Sequence, residues 1–449
     1  MTERGRWRDE LEPKISDEVA FIVDAFAAPE NGGVDIGVVT APDGGLGYLF
    51  AAGQLMVRDQ HLTRVLEILG QPTEVQLRDN EPHRLRRITP GVQLVTLGRT
   101  PDGLEHVVPD ALGLIDRELG LGIATPNHVL TVAPTSGGCP ATEPEKVYFD
   151  IEPYPSVCHG NGGAGVLIYM ADTGLLEHPA HGHPWLAGVR RGSPEDLDFG
   201  EGQNPIPPYT AHGTFGAGVM RCVAPHADLI VTNAFAVAGS TLESDLVPRL
   251  VAALGLGVDI FHLTIAAPTR ADLPLIAFEA WLRQLRQYKG VVVVVAAGNS
   301  GSRRPSWPAA FADVVSVGAL AADWRSRASF SNFGGWVDVF APGRDLINAY
   351  TTGTYECQFA PYEGQDRQFY GMAKWSGTSF STPIVTGLIA SRMSRTGENG
   401  QQAAAALLAE ARAQAIQGVG PILLPCCHDR HPAGPPECGC GPHRPQPGC

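Results

Sequence analysis

The stretch Trp375-Ser-Gly-Thr-Ser-Phe-Ser-Thr-Pro383 is followed at once by the apolar run Ile384-Val-Thr-Gly-Leu-Ile-Ala390. A Gly-loosened turn here delivers a serine into the first turn of what reads as a buried helix. Unpaired backbone N–H groups and the helix dipole at that point favour developing negative charge. Ser379 is therefore placed as a nucleophile would be. A Gly-Thr-Ser tripeptide alone also caps a helix without doing chemistry, so its meaning depends on a base and an orienting acid upstream.

Two such groups precede it. Val166-Leu-Ile-Tyr-Met-Ala-Asp-Thr-Gly174 reads as a buried strand ending in Asp172, at the sheet rim where α/β sites form. The plain alternative is an Asx turn closing the strand. Ala211-His-Gly-Thr-Phe-Gly-Ala-Gly-Val219 sets His212 before small residues that let a helix pack closely on a sheet. Between these and the serine lies Val291-Val-Val-Val-Val-Ala-Ala-Gly-Asn299. Its β-branched run predicts a central parallel strand buried on both faces. Ala296, Ala297 and Gly298 leave room for something to lie against the backbone, and Asn299 stands at the strand's C-terminal end.

The order Asp172, His212, Ser379 is that of subtilisin among the convergent triads. The chain resembles the subtilisin-like serine proteases over residues 150 to 420. Asp-Thr-Gly at 172–174 with His178-Pro179 is similar to the family's aspartate motif. His-Gly-Thr at 212–214 with Ala-Gly at 217–218, followed by Val223-Ala-Pro225, is similar to its histidine motif. Gly-Thr-Ser at 377–379 with Pro383 is similar to its serine motif, and Asp338-Val-Phe-Ala-Pro-Gly343 to the strand and turn before it. The resemblance implies a doubly wound parallel α/β sheet and serine endopeptidase activity through an acyl-enzyme. Asn299 would be the oxyanion donor, and catalysis would need no cofactor. Structural calcium is frequent in the family, but no ligands for it can be placed here.

Three departures bear on substrate access. Thr264-Ile265-Ala266 replaces the family's Ser-Leu-Gly on the strand that lines the groove. Ala266 adds a methyl where glycine is usual, which implies a reshaped pocket. Thr264, Ile265 and Ala266 are accordingly candidate substrate-binding residues, with Ala296, Ala297 and Gly298. Phe215 stands where a second histidine is usual. Residues 351–374 are an insertion that reads either as a lid or exosite, or as a solvated loop. His262, on the same strand as Thr264, reads as a core histidine. Restricted access leaves a peptide-maturing protease or transpeptidase as an alternative, and a catalytically silent binding protein as a third reading.

From 160 to 395, strand and helix signals alternate, which argues a doubly wound parallel sheet. The polar, Pro-rich stretch 192–210 reads as an insertion between Asp172 and His212, and 401–416 as an outer Ala-rich helix. Residues 1–145 precede these motifs and read as a smaller α+β module. Strand-like runs lie at 46–51, 54–57, 91–96 and 128–132, and helical spacing at 60–69 and 109–119. By resemblance this is a prodomain that would make the chain a zymogen inhibited by its own N-terminal part; a regulatory domain competes. Ala133–Pro144 is the expected linker and cleavage region. The catalytic domain is expected over 146–420 and a tail over 421–449.

The net charge of −14 argues against nucleic acid or an anionic membrane as partner, leaving peptide or protein substrates. The charge is uneven: residues 1–150 hold 13 Lys plus Arg against 23 Asp plus Glu. The apolar patch 19–23 is too short and too acid-flanked for a signal peptide, so a cytoplasmic location is expected, with secretion left open if the start is misassigned. Of nine cysteines, Cys426, Cys427, Cys438, Cys440 and Cys449 crowd the end. With His428, His431 and His443 that tail could hold zinc, although its spacings are not the usual ones. Cys222 reads as a small buried residue.

Overall fold

The computed structural model describes residues 7–70, 85–97, 107–132, 141–148, 151–200, 202–235, 237–359 and 361–425. The zinc expectation at 426–449 and the part of the linker at 133–140 lie outside these residues. Among the described residues no helix is long and apolar enough to cross a membrane.

The chain begins with α1 (Trp7–Glu10) and α2 (Pro13–Ala27), then β1 (Ile36–Thr40), β2 (Leu46–Arg58), α3 (Leu62–Gly70), β3 (Leu85–Thr89), β4 (Val92–Thr96), α4 (Val107–Leu119) and β5 (Ala124–Thr131). Pro13 starts α2 where its missing N–H costs nothing. Ile15, Val19, Ile22 and Phe26 recur at helical spacing and are all buried. The apolar patch at 19–23 is thus part of an amphipathic helix.

β2 is antiparallel to both β4 and β5, and β3 is antiparallel to β4. Each helical crossover therefore skips one strand: α3 links β2 to β3 across β4, and α4 links β4 to β5 across β2. These are split βαβ units, the α+β module expected from the strand and helix signals. Leu55 and Val57 point toward α3 and α4, whereas Met56 points to the opposite face, as strand alternation requires.

The second part carries β6 (Leu167–Asp172), β7 (Arg190–Arg191), α5 (His212–Val223), β8 (Asp228–Asn233), β9 (Ser240–Leu242), α6 (Glu243–Ala253), β10 (Ile260–Leu263), α7 (Ile276–Leu285), β11 (Val292–Ala296), β12 (Val315–Leu320), β13 (Val339–Pro342), β14 (Leu346–Glu356), β15 (Asp366–Trp375), α8 (Thr378–Thr396) and α9 (Gly400–Ala413). Seven strands form one parallel sheet in the order β13-β12-β11-β10-β6-β8-β7. Helices α5, α8 and α9 cover one face, and α6 and α7 the other. In β6, Ile168 and Met170 join the first layer while Tyr169 and Ala171 join the second. All residues of β11 are buried. This is the doubly wound α/β fold.

Two expectations change. Helix α9 buries Ala403, Ala404, Leu407 and Ala411 in the main core, so it is a structural layer and not an outer addition. The 351–374 insertion is not a solvated loop. It is a hairpin of β14 and β15, and its inner residues Tyr350, Tyr355, Phe369 and Trp375 are buried in the same core.

The two parts share a sheet. β5 pairs antiparallel with β9, Val129 opposite Leu242 and Thr131 opposite Ser240. Past 140 the chain is fixed elsewhere. Glu145 bridges Lys374 on β15, Trp375 Nε1 donates to Thr142 O at 2.6 Å, and Arg367 donates to Pro144 O at 2.7 Å.

Candidate active site

The C-terminal ends of β6, β10 and β11 converge with the N-terminal turns of α5 and α8, the usual place for sites in open α/β sheets. Asp172 ends β6. His212 opens α5, and its Nδ1 lies 2.6 Å from Asp172 Oδ1 with both side chains fully buried. Beside a carboxylate that nitrogen carries the proton, which leaves a bare lone pair on Nε2. Nε2 has no hydrogen-bond partner among the described residues. Gly213 is glycine because a Cβ there would lie 2.3 Å from Gly174 O and 3.2 Å from Asp172 Oδ1. A larger residue would push the histidine turn off the aspartate.

Asp172 is held from three sides. Besides His212, Thr173 N–H donates to Oδ1 at 2.7 Å and the Thr264 hydroxyl to Oδ2 at 2.6 Å. Burial alone would raise its carboxyl. Electrostatic attraction to the His212 ring and these hydrogen bonds overcome that and hold it below the ordinary range.

Ser379 is the second residue of α8, its hydroxyl donating to Val132 O at 3.0 Å. Gly343 lets the β13–β14 turn approach this helix start; a Cβ on it would lie 2.0 Å from Ser381 Oγ. Asn299 follows β11. Its Oδ1 accepts Thr378 N–H at 2.8 Å and the Thr378 hydroxyl at 3.0 Å. Its Nδ2 is buried and without a hydrogen-bond partner among the described residues. A buried donor left open is expensive, and is expected where an acceptor arrives only during reaction.

The candidate groove residues divide. Ala266 exchanges backbone hydrogen bonds with Thr131, donating at 3.0 Å and accepting at 3.5 Å. Thr264 faces Asp172, and Ile265 belongs to the core behind the sheet. Ala297 and Gly298 are tied to neighbours: Asn332 Nδ2 donates to Ala297 O, and Gly298 N–H donates to Thr378 Oγ1. Ala296 is buried within β11. The space along Ala266 and β9 is filled by the chain's own residues 129–132. A cavity of about 680 Å³ is lined by Tyr48, Asp272, Ser300, Arg304 and Asn332.

His262 donates from Nδ1 to Thr386 Oγ1 (2.9 Å), whose own hydroxyl donates to Thr382 O. Burial lowers its imidazole to about 4, so it is a neutral core residue. Phe215 packs at 4.5 Å from the Phe380 ring, and His212 lies against Phe380 and Trp375 at 5.0 and 5.6 Å. Cys222 is buried and accepts a hydrogen bond from Asn348 at 3.5 Å; burial pushes its thiol up to about 12. Among the described residues no group of three or more His, Cys, Asp or Glu is placed to hold a metal ion.

Residues 163–420 match the model of the subtilase family, Peptidase_S8. The chain belongs to the subtilase family. An alkaline protease of Alkalihalobacillus alcalophilus is 30% identical over 243 residues, which covers 52% of this chain and 55% of that protein. Subtilisin Savinase of Lederbergia lenta is also 30% identical over 243 residues, 52% of this chain and 78% of that one. Thermitase of Thermoactinomyces vulgaris is 29% identical over 269 residues, 58% and 84% of the two chains. The chain thus spans about half the length of the first of these subtilases. Similar solved structures include a cold adapted subtilisin-like serine proteinase, with 23% identity, 60% of this chain and 91% of that one covered, and a TM-score of 0.45. The Patellamide maturation protease PatA has 23% identity, coverage of 61% and 91%, and a TM-score of 0.43.

Several residues of this subtilase site carry no signal in the sequence. Val132 and Asp198 sit in stretches that read as strand end and insertion. Trp375 is visible only as the start of the serine motif.

Proposed function

We propose that the protein is a serine endopeptidase whose resting form is occupied by its own N-terminal part. The observation that carries this reading is the hydrogen bond from Ser379 Oγ to Val132 O at 3.0 Å. Residues 129–131 pair with β9 on one side, and Thr131 bridges Ala266 on the other. The chain's own strand lies where an extended peptide would add to the sheet, by main-chain hydrogen bonds that any sequence can make.

With a peptide in that place, His212 Nε2 takes the Ser379 proton as the hydroxyl attacks the carbonyl carbon. Asp172 keeps the imidazole in the required tautomer and stabilises its cation. The open Asn299 Nδ2 and the Ser379 N–H meet the oxyanion. The imidazolium then protonates the leaving amine, and water releases the acyl group. In the resting form the serine proton points to Val132 O instead, and Asn299 Nδ2 is not engaged. Val132 O is therefore held as an inhibitor's carbonyl.

Residues 129–132 are held in the groove and 141–145 on the hairpin, so self-cleavage within the expected linker is predicted between them. Intact mass after incubation is expected to give a product beginning between residues 133 and 141, absent from Ser379→Ala. A fluorophosphonate probe is expected to label the wild type after that cleavage and never Ser379→Ala. An absence of labelling even in chains lacking 1–132 would sink the peptidase reading.

A further inference from the structure

The Pro-rich stretch 192–210 reads as a plain insertion, yet it carries a carboxylate to both neighbours of the buried His–Asp pair. Asp198 is anchored in the backbone: its N–H donates to Leu175 O at 3.0 Å, and Leu175 N–H donates back to Asp196 O at 3.1 Å. Asp198 Oδ2 accepts the Ala211 N–H at 2.6 Å and the Thr173 hydroxyl at 3.4 Å. Thr173 Oγ1 in turn accepts the Gly213 N–H at 3.1 Å. One carboxylate thus reaches residues on both sides of His212 and the residue that follows Asp172.

The turn it holds is strained. Ala211 has φ 63° and Tyr209 φ 65°, left-handed conformations that non-glycine residues adopt only when their surroundings impose them. The short bond to Asp198 is made by the N–H of Ala211 itself, directly before His212.

We propose that Asp198 is a positioning residue for His212, its carboxyl buckling the strained turn that carries the imidazole to the strand end that carries Asp172. This rests on the reading of Asp172, His212 and Ser379 given above. Burial, with the nearby Asp172 charge, pushes the Asp198 carboxyl up to about 8, against the opposing pull of Ala211 N–H and Thr173. Below that pH it is a neutral acid that accepts hydrogen bonds and adds no second negative charge beside Asp172. The titratable groups facing it are Asp172 on β6 and Tyr350 on β14; His212 is reached through Ala211. Asparagine copies the neutral acid, keeping the acceptor but not the titration. Alanine removes the acceptor.

The test uses the full chain as wild type, Asp198→Asn and Asp198→Ala, each brought to its cleaved form, as judged by intact mass, before labelling. The fluorophosphonate labelling rate of Ser379 is followed from about pH 5 to 10. The low-field proton resonance of the His212–Asp172 hydrogen bond is recorded beside it. The alanine variant is expected to label about 10- to 100-fold more slowly, the range for a catalytic group displaced by about an ångström, with that resonance shifted or lost. The asparagine variant is expected to stay within about threefold of wild type at neutral pH and to lose the wild-type inflection near pH 8. A folded alanine variant labelling within about twofold of wild type, with the resonance in place, overturns the proposal. So does an asparagine variant as slow as alanine. If alanine prevents folding, the asparagine profile decides: an inflection that persists near pH 8 refutes the assignment and its loss supports it. If wild type itself is never labelled, the peptidase reading fails, and the resonance still decides whether Asp198 positions His212.

Discussion

At the scale of single residues, the most consequential departure from the family's usual groove strand is Thr264. From the sequence it reads as a pocket wall, since it replaces a serine beside the substrate. Folded, its hydroxyl is spent on Asp172 Oδ2 at 2.6 Å. A hydrogen bond to a buried carboxylate contributes about 1.5–3 kcal/mol, and Thr264→Val removes it while keeping the shape. The Asp172 carboxyl is held below its ordinary value in the folded state. Its contribution to stability is therefore present above the unfolded-state value and lost as pH falls through the folded one. Removing the Thr264 donor raises the folded value and narrows that window. Thr264→Val is expected to unfold at a higher pH than wild type in an acid titration followed by circular dichroism. An unchanged acid midpoint would show that the hydroxyl does not act on Asp172. The difference between expected and observed roles has a physical source: alternation fixes which face of a strand a residue occupies, but not which polar group waits there.

At the scale of elements, the chain is legible where periodicity is strong. The five valines before Ala296 predict a strand buried on both faces, and β11 is one. His212 and Ser379 each stand at the head of a helix whose following residues are small or apolar: α5 begins at His212 and α8 one residue before Ser379. The helix α2 is not legible, because charged residues interrupt its apolar spacing and only the patch at 19–23 stands out. The hairpin of β14 and β15 is equally hidden. Its Tyr, Gln and charged residues suggest a solvated loop, and only tertiary packing reveals that alternate residues enter the core. That hairpin also grips the end of the expected linker, in part through Trp375, which touches the His212 ring and donates to Thr142 O. Trp375→Phe keeps an aromatic ring against His212 and loses the donor, a neutral hydrogen bond of about 1 kcal/mol. Limited proteolysis is expected to cut residues 133–145 about fivefold faster in this variant, since 1.4 kcal/mol corresponds to a factor of ten. Equal cutting rates would mean that the Glu145–Lys374 bridge and the Arg367 bond hold the segment without Trp375.

At the scale of the whole molecule, the N-terminal part is joined to the remainder by three unlike kinds of contact, and their magnitudes decide which matters. Ion pairs cross the seam: Arg58–Glu279, Arg270–Asp116 and Arg86–Asp245. The last is largely exposed and contributes little; the first two are partly buried and are still screened by salt. Met56, Val92, Leu94 and Leu130 bury an apolar face against α6 and α7. Finally, the β5–β9 pairing and the Val132 carbonyl occupy the groove itself. The apolar face is insensitive to salt, so high ionic strength is expected to leave Ser379 of the uncleaved chain protected. A change at the groove should act differently. Val132 is buried, and a Cβ added to Gly239 would lie 3.2 Å from its side chain, so Val132→Asp forces an unpaired carboxylate into a closed site. The cost of several kcal/mol falls only on the occupied state, which shifts the equilibrium toward an open groove while leaving the remaining contacts intact. Fluorophosphonate labelling of uncleaved Val132→Asp is accordingly expected to be at least about tenfold faster than that of the uncleaved wild type. Equal rates would place the protection of Ser379 in the apolar face and the hairpin rather than in the strand that ends at Val132.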